Sequence, residues 1–154
     1  MNEMLKTDIG PFLDIPSITS MLTRSQCRLQ ELYISCSALP NAHALELLQQ
    51  TTNLVTLKLY GLDPINTELL NALTFHPDQP LMPALEHVEL CGYMDNGGPD
   101  QGDALMTFLE SRPSLKFARI AISTEYLVSP SRAYRLEQLV DAGLEFEAVA
   151  HDDD

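Results

Sequence analysis

The stretch that decides the fold is Leu54-Val55-Thr56-Leu57-Lys58-Leu59. Leu57 and Leu59 alternate with Thr56, Lys58 and Tyr60, which is the period-two pattern of a strand with one buried face and one wet face. With Leu54 in front, the stretch reads LxxLxL. The motif occurs upstream as Leu29-Gln30-Glu31-Leu32-Tyr33-Ile34 and downstream as Leu85-Glu86-His87-Val88-Glu89-Leu90 and Leu115-Lys116-Phe117-Ala118-Arg119-Ile120. A fifth, degenerate copy starts at Leu144 in LEFEAV, and the leading leucines are 25, 31, 30 and 29 residues apart. In the first four copies all twelve motif positions are hydrophobic. With 45% of the chain hydrophobic, chance would give this about once in ten thousand trials. The chain is therefore read as a repeat array.

The segments between the motifs have helical spacing. Ser17–Arg24 places Ile18, Met21 and Leu22 on one face, just after Pro16. Asn41 is the expected N-cap of AHALELLQQ, and Asn66 or Thr67 opens TELLNALTF with Leu69, Leu70 and Leu73 inward. Asp103 is expected to open ALMTFLESR, with Leu105, Phe108 and Leu109 inward. The last helix, SRAYRLEQLVDAG, turns Ala133, Leu136, Leu139 and Val140 inward and stops at Gly143. Prolines punctuate the joints.

Strand–helix units in series give parallel strands, since each helix is the crossover. A sheet covered on both faces would show near-continuous apolar strands; these alternate instead. All helices are therefore expected on one side. The expected fold is α/β: a right-handed solenoid of about five parallel strands, near 29–35, 54–60, 85–91, 115–121 and 144–149, with helices on the convex side. Residues 1–14 read as an N-terminal extension, 15–149 as the repeat domain and 150–154 as an acidic tail.

These residues resemble the leucine-rich repeat proteins over positions 15–149, and the long units with a full helix are similar to the ribonuclease-inhibitor-like and cysteine-containing subtypes. The family's Asn or Cys after the motif is here Ser37, Leu62, Tyr93 and Ser123, so its buried ladder is expected to be absent and the turns irregular. SITSMLTRSQCRLQEL, NTELLNALTF and PLMPALEHVEL further resemble the C-terminal repeat region of fungal F-box proteins, which are substrate receptors of cullin-type ubiquitin ligases. The first 28 residues hold no F-box-like LPxE stretch. The resemblance thus implies a substrate-recognition fragment without the adaptor-binding module.

Composition bounds the partners. The 154 residues carry 9 Lys and Arg against 22 Asp and Glu, a net charge of −13. This argues against nucleic acid and anionic membranes, which need clustered basic residues. No apolar run approaches a membrane span and the N-terminus does not read as a signal peptide. Cys27, Cys36 and Cys91 are too few and too scattered for a disulfide framework. They read as buried thiols of an intracellular protein, cytoplasmic or nuclear.

Aligning the copies stacks residues into rows on the wet face, with neighbouring strands about 4.8 Å apart. One row reads Tyr33, Lys58, Glu89, Arg119, a plus–minus–plus ladder over its last three members. The row before it reads Glu31, Thr56, His87, Phe117, and the row after it Ser35, Tyr60, Cys91, Ala121. Aromatic residues and Arg among charges are typical of interface hot spots. Glu31, Tyr33, Lys58, Tyr60, His87, Glu89, Phe117 and Arg119 are the candidate partner-binding residues. No metal-ligand spacing, cofactor fingerprint or catalytic motif is present. His87 and Cys91, at i and i+4 on an extended strand, stand about 13 Å apart, too far for proton transfer. Residues 92–103 read as a polar insertion. The expectation is a non-catalytic protein-binding module without cofactor or metal. The alternative is a structural or regulatory scaffold whose solenoid ends self-associate or dock on another domain.

Overall fold

The computed structural model describes residues 3–8, 14–25, 28–94, 99–121 and 129–149. The motif copies form five strands: β2 (Leu29–Pro40), β3 (Thr56–Ile65), β4 (His87–Met94), β5 (Phe117–Ala121) and β6 (Glu145–Val149). A sixth strand, β1 (Glu3–Asp8), lies where an extension was expected and pairs in parallel with β2. Its sequence, EMLKTD, carries no LxxLxL, so the repeat could not reveal it. All pairings are parallel and the sheet order is β1-β2-β3-β4-β5-β6. Five helices connect them: α1 (Ile15–Ser25), α2 (Asn41–Gln49), α3 (Thr67–Leu73), α4 (Pro99–Glu110) and α5 (Pro130–Asp141).

The leading leucine of three copies does not join the ladder. Each closes a turn, its N–H donating to the carbonyl three residues back: Leu54 to Thr51 at 3.3 Å, Leu85 to Met82 at 3.2 Å, Leu115 to Arg112 at 3.0 Å. The side chain is thereby tucked into the core, and all three leucines are buried. Strand pairing starts two residues later, so these strands are shorter at the front than the motif suggested. The second and third apolar positions, from Leu32 and Ile34 through Leu57, Leu59, Val88 and Leu90 to Ala118 and Ile120, are at most 1% exposed. They share one core with Leu47 and Leu48 of α2, Leu69, Leu70 and Leu73 of α3, and Leu105, Phe108 and Leu109 of α4.

Helix starts differ from expectation in two places. Pro40, not Asn41, is the N-cap of α2, with φ −63° and ψ 143°. Asn41, as the first helical residue, instead points its amide sideways to Asn66 Oδ1 at 3.1 Å. Asn66 caps α3 as expected, accepting from Leu69 N at 2.9 Å. Helix α4 begins at Pro99, four residues before Asp103; proline suits the first helical turn, where its missing N–H has no partner to lose. The expected insertion at 92–103 is thus partly strand and partly helix; residues 95–98 fall outside the described set. In α5 no residue is buried, and Ala133 and Val140, expected inward, are exposed. Gly143, at φ 111°, ends α5 as expected.

A polar set stands at the helix starts. Asn41 Nδ2 reaches Asn66, and Gln101 Nε2, fully buried on α4, donates to the Ile65 carbonyl at 2.6 Å. Of the four positions that follow the motif, Leu62 is fully buried, and the side chains of Ser37, Tyr93 and Ser123 lie outside the described set. Cys36 and Cys91 are half-buried rather than buried, and Cys27 lies outside the described residues. Among the described residues, no helix is long and apolar enough to cross a membrane.

Candidate functional site

Two of the three rows expected on the wet face exist in the register expected; in the third, Ser35 pairs with Tyr60 and Tyr60 with Cys91, but β4 and β5 pair only as far as Leu90 and Ile120, and Ala121, expected on that face, is buried. Glu31 pairs with Thr56, Thr56 with His87 and His87 with Phe117. Tyr33 pairs with Lys58, Lys58 with Glu89 and Glu89 with Arg119. The reason is the alternation: a slip of one residue would turn every buried leucine outward. The rows also run one strand further each way, to Met4 on β1 and to Glu145 and Glu147 on β6.

Glu89 is the hub. It is only 5% exposed although it belongs to the outward row, because the surrounding side chains fold over it. Its Oε1 accepts from Lys58 Nζ at 3.1 Å and lies 2.9 Å from His87 Nε2; its Oε2 accepts from the Tyr60 hydroxyl. Burial alone would raise the pKa of this carboxyl group. The bonds from Tyr60, His87 and Lys58, together with the Lys58 charge, outweigh it and hold the group at about 2. The same arrangement acts in reverse on Tyr60, whose phenol is pushed up by burial and then by its bond to Glu89.

Aromatic rings flank the hub. Tyr33 and Tyr60 meet at 5.4 Å between centroids, tilted by 50°; His87 and Phe117 stack at 4.3 Å, 16° from parallel. Such pairs hold rings in place on a surface that water reaches. A shallow cavity of about 300 Å³ lies beside Tyr33, bounded by Met4, Glu31, Thr56 and Lys58. Of the eight candidates, Tyr33, Lys58, Tyr60, His87, Glu89 and Phe117 thus form one connected cluster, and Glu31 lines the adjoining cavity. Arg119 departs from the expected ladder. Its ion pair goes to Glu147 Oε2 at 3.5 Å, on the strand that sequence reading had left out of the row.

Met4 and Glu147 were not singled out in the sequence. Glu147 could have been found by extending the rows into the degenerate fifth copy; Met4 could not, because β1 carries no motif from which to extend them. Cys91 stands next to the cluster with its thiol pushed up, chiefly by burial, and His87 is engaged by Glu89, so the pair does not form a nucleophile and base. Among the described residues no three His, Cys, Asp or Glu side chains are placed to hold a metal ion. A larger hollow of about 480 Å³ on the other side of the molecule is lined by Leu45, Asn71, His76 and Pro80 among others. Among the described residues it contains no ion pair and no orphaned buried polar atom. Comparison of the chain with protein-family models, curated proteins and solved structures gives no match.

Proposed function

We propose that the chain is a right-handed solenoid of the leucine-rich-repeat kind that works as a non-catalytic protein-binding module, presenting its open strand face to a protein partner. The observation that carries this reading is the cluster of Tyr33, Tyr60, His87 and Phe117 arranged around the buried Glu89. Rings held in place by a preset hydrogen-bond network lose little entropy when a partner docks, which favours their use as anchors. A binding role as the substrate-recognition part of an F-box-type ubiquitin ligase receptor is the specific form suggested by the sequence resemblance.

The test is site-directed photo-crosslinking in cells, with the reactive group placed at Phe117 on the strand face or at Gln49 on the helix side. A protein partner should be captured from Phe117 and not from Gln49. Capture should fall when Tyr33→Ala or Arg119→Glu is added. Arg119 suits this purpose better than Lys58, which also holds Glu89. Capture that is equal from both sides, or indifferent to both substitutions, overturns the reading. Co-purification of cullin-ligase subunits with the captured complex would test the receptor role separately.

A further inference from the structure

The open strand face spends most of its charge on itself. Lys58 Nζ lies 3.1 Å from Glu89 Oε1, and Arg119 Nε lies 3.5 Å from Glu147 Oε2. Just ahead of β5 and β4, Lys116 Nζ lies 2.8 Å from Glu86 Oε2. Each of these cations is thus met by a carboxylate. Two carboxylates have no such partner: among the described residues, Glu31 on β2 and Glu145 on β6 enter no ion pair and no side-chain hydrogen bond. The register puts them at opposite ends of one outward row. Glu31 pairs with Thr56, Thr56 with His87, His87 with Phe117 and Phe117 with Glu145. Four strand spacings separate the two carboxylates by roughly 19 Å. Between them lie the Thr56 hydroxyl and the stacked rings of His87 and Phe117, and the cavity of about 300 Å³ opens at the Glu31 end.

We propose that the partner docks through an extended basic segment that crosses the strands along this row, with one Lys or Arg at Glu31 and a second, six residues on, at Glu145. This rests on the protein-binding reading above and names the chemistry of the partner. Charge complementarity is the argument: once the internal pairs are made, the charges that the described face leaves over are negative. An extended chain advances about 3.3 Å per residue, so six residues cover the row. Its side chains alternate, so positions i and i+6 point to the same side, as do i+2 and i+4, which fall over Thr56, His87 and Phe117. The segment that fits carries apolar or aromatic residues at those two inner positions, against the stacked rings. At the Glu31 end the cavity has room for the aliphatic stem of the basic residue, against Met4 and Tyr33, with its charged head at the carboxylate. Arg119, its charge met by Glu147, serves the partner by contact rather than by charge. The net charge of −13 on the whole chain draws such a segment in and raises its rate of association.

The experiment places the photo-reactive group at Phe117 of the full chain in cells and sequences the captured peptide by mass spectrometry. The attached segment should carry a Lys or Arg on both sides of the captured position, within about four residues of it. Glu31→Gln and Glu145→Gln, which keep the side-chain size and remove the charge, should each lower capture roughly fivefold. Glu68→Gln, exposed in the first turn of α3 on the helix side, should leave capture unchanged. Circular dichroism checks that each variant folds. A captured segment with acidic or uncharged flanks overturns this inference and leaves the strand-face reading standing, and so does capture that is indifferent to both substitutions on the sheet. Absence of any capture from Phe117 overturns the strand-face reading, and this inference with it.

Discussion

At Glu89 two opposing effects act on one carboxyl group, burial raising its pKa and three donors lowering it, and the donors win, with a folded value of about 2 against an ordinary 4.5. A group whose pKa is lower in the folded state stabilises the fold above its unfolded pKa, and that contribution drains away as pH falls toward the folded value. Stability followed by urea unfolding should therefore drop between about pH 5 and pH 2, and Glu89→Gln should flatten that part of the curve. The same substitution should cost about 1–3 kcal/mol at pH 7, since Lys58, His87 and Tyr60 lose their charged acceptor. An unchanged acid limb in the variant would mean that other carboxylates set it. Leu57 and Lys58 offer a second comparison. Leu57→Ala should cost about 2–5 kcal/mol as a fully buried large-to-small change. Read from the sequence alone, Lys58→Ala should cost almost nothing; with its ammonium on Glu89, the expected loss is about 1 kcal/mol. Equal losses at the two positions would place Lys58 on the wrong face. The rows were legible because alternation fixes the register. The pairing of Lys58 with Glu89 was legible too; the convergence of Tyr60 and His87 on the same carboxylate was not, because backbone register does not fix where side chains reach.

Between elements, two glycines control how closely successive units approach. A Cβ built on Gly92 would lie 2.1 Å from the Leu62 carbonyl oxygen, and one on Gly61 would lie 1.8 Å from that of Cys36. Gly61 also sits at φ 91°, a conformation L side chains rarely adopt. Gly92→Ala should therefore cost about 1–3 kcal/mol through forced separation of β3 and β4, and Gly61→Ala more, because backbone strain adds to the clash. Thermal unfolding of the two variants checks the order, and Gly143→Ala supplies the control: its φ is also positive, but nothing lies within 4 Å of the added carbon. None of this was legible beforehand, because a glycine in sequence does not say which backbone it faces. Arg112 escaped notice for a related reason. It is 4% exposed and, among the described residues, has no carboxylate partner; its guanidinium donates to the carbonyls of Leu73, Leu81 and Met82 at 2.7–3.1 Å and lies 5.8 Å from the Phe75 and Phe108 rings. Burial lowers its pKa to about 10, so it keeps its charge at neutral pH. It ties the segment before β4 to the end of α3, a task that charge patterning does not announce.

For the molecule as a whole, the order β1 to β6 means that every strand bonds only to its sequence neighbours. In such arrays stability is approximately a sum of unit terms and nearest-neighbour terms, so the ends, with one neighbour each, open first. The gradient should be steeper at the C-terminal end. There α5 buries no residue, and β6 is exposed or half-buried throughout, while α3 and β3 bury Leu57, Leu59, Leu69 and Leu70. Arg132 and Arg135 bond Asp103 and Glu110 at 2.7–2.9 Å and hold α5 to α4, but ion pairs this exposed contribute at most about 1 kcal/mol each. Hydrogen exchange in dilute solution should thus be fastest over residues 130–149 and slowest over 56–60 and 88–90. Protection that is flat along the chain would show that the units do not unfold independently.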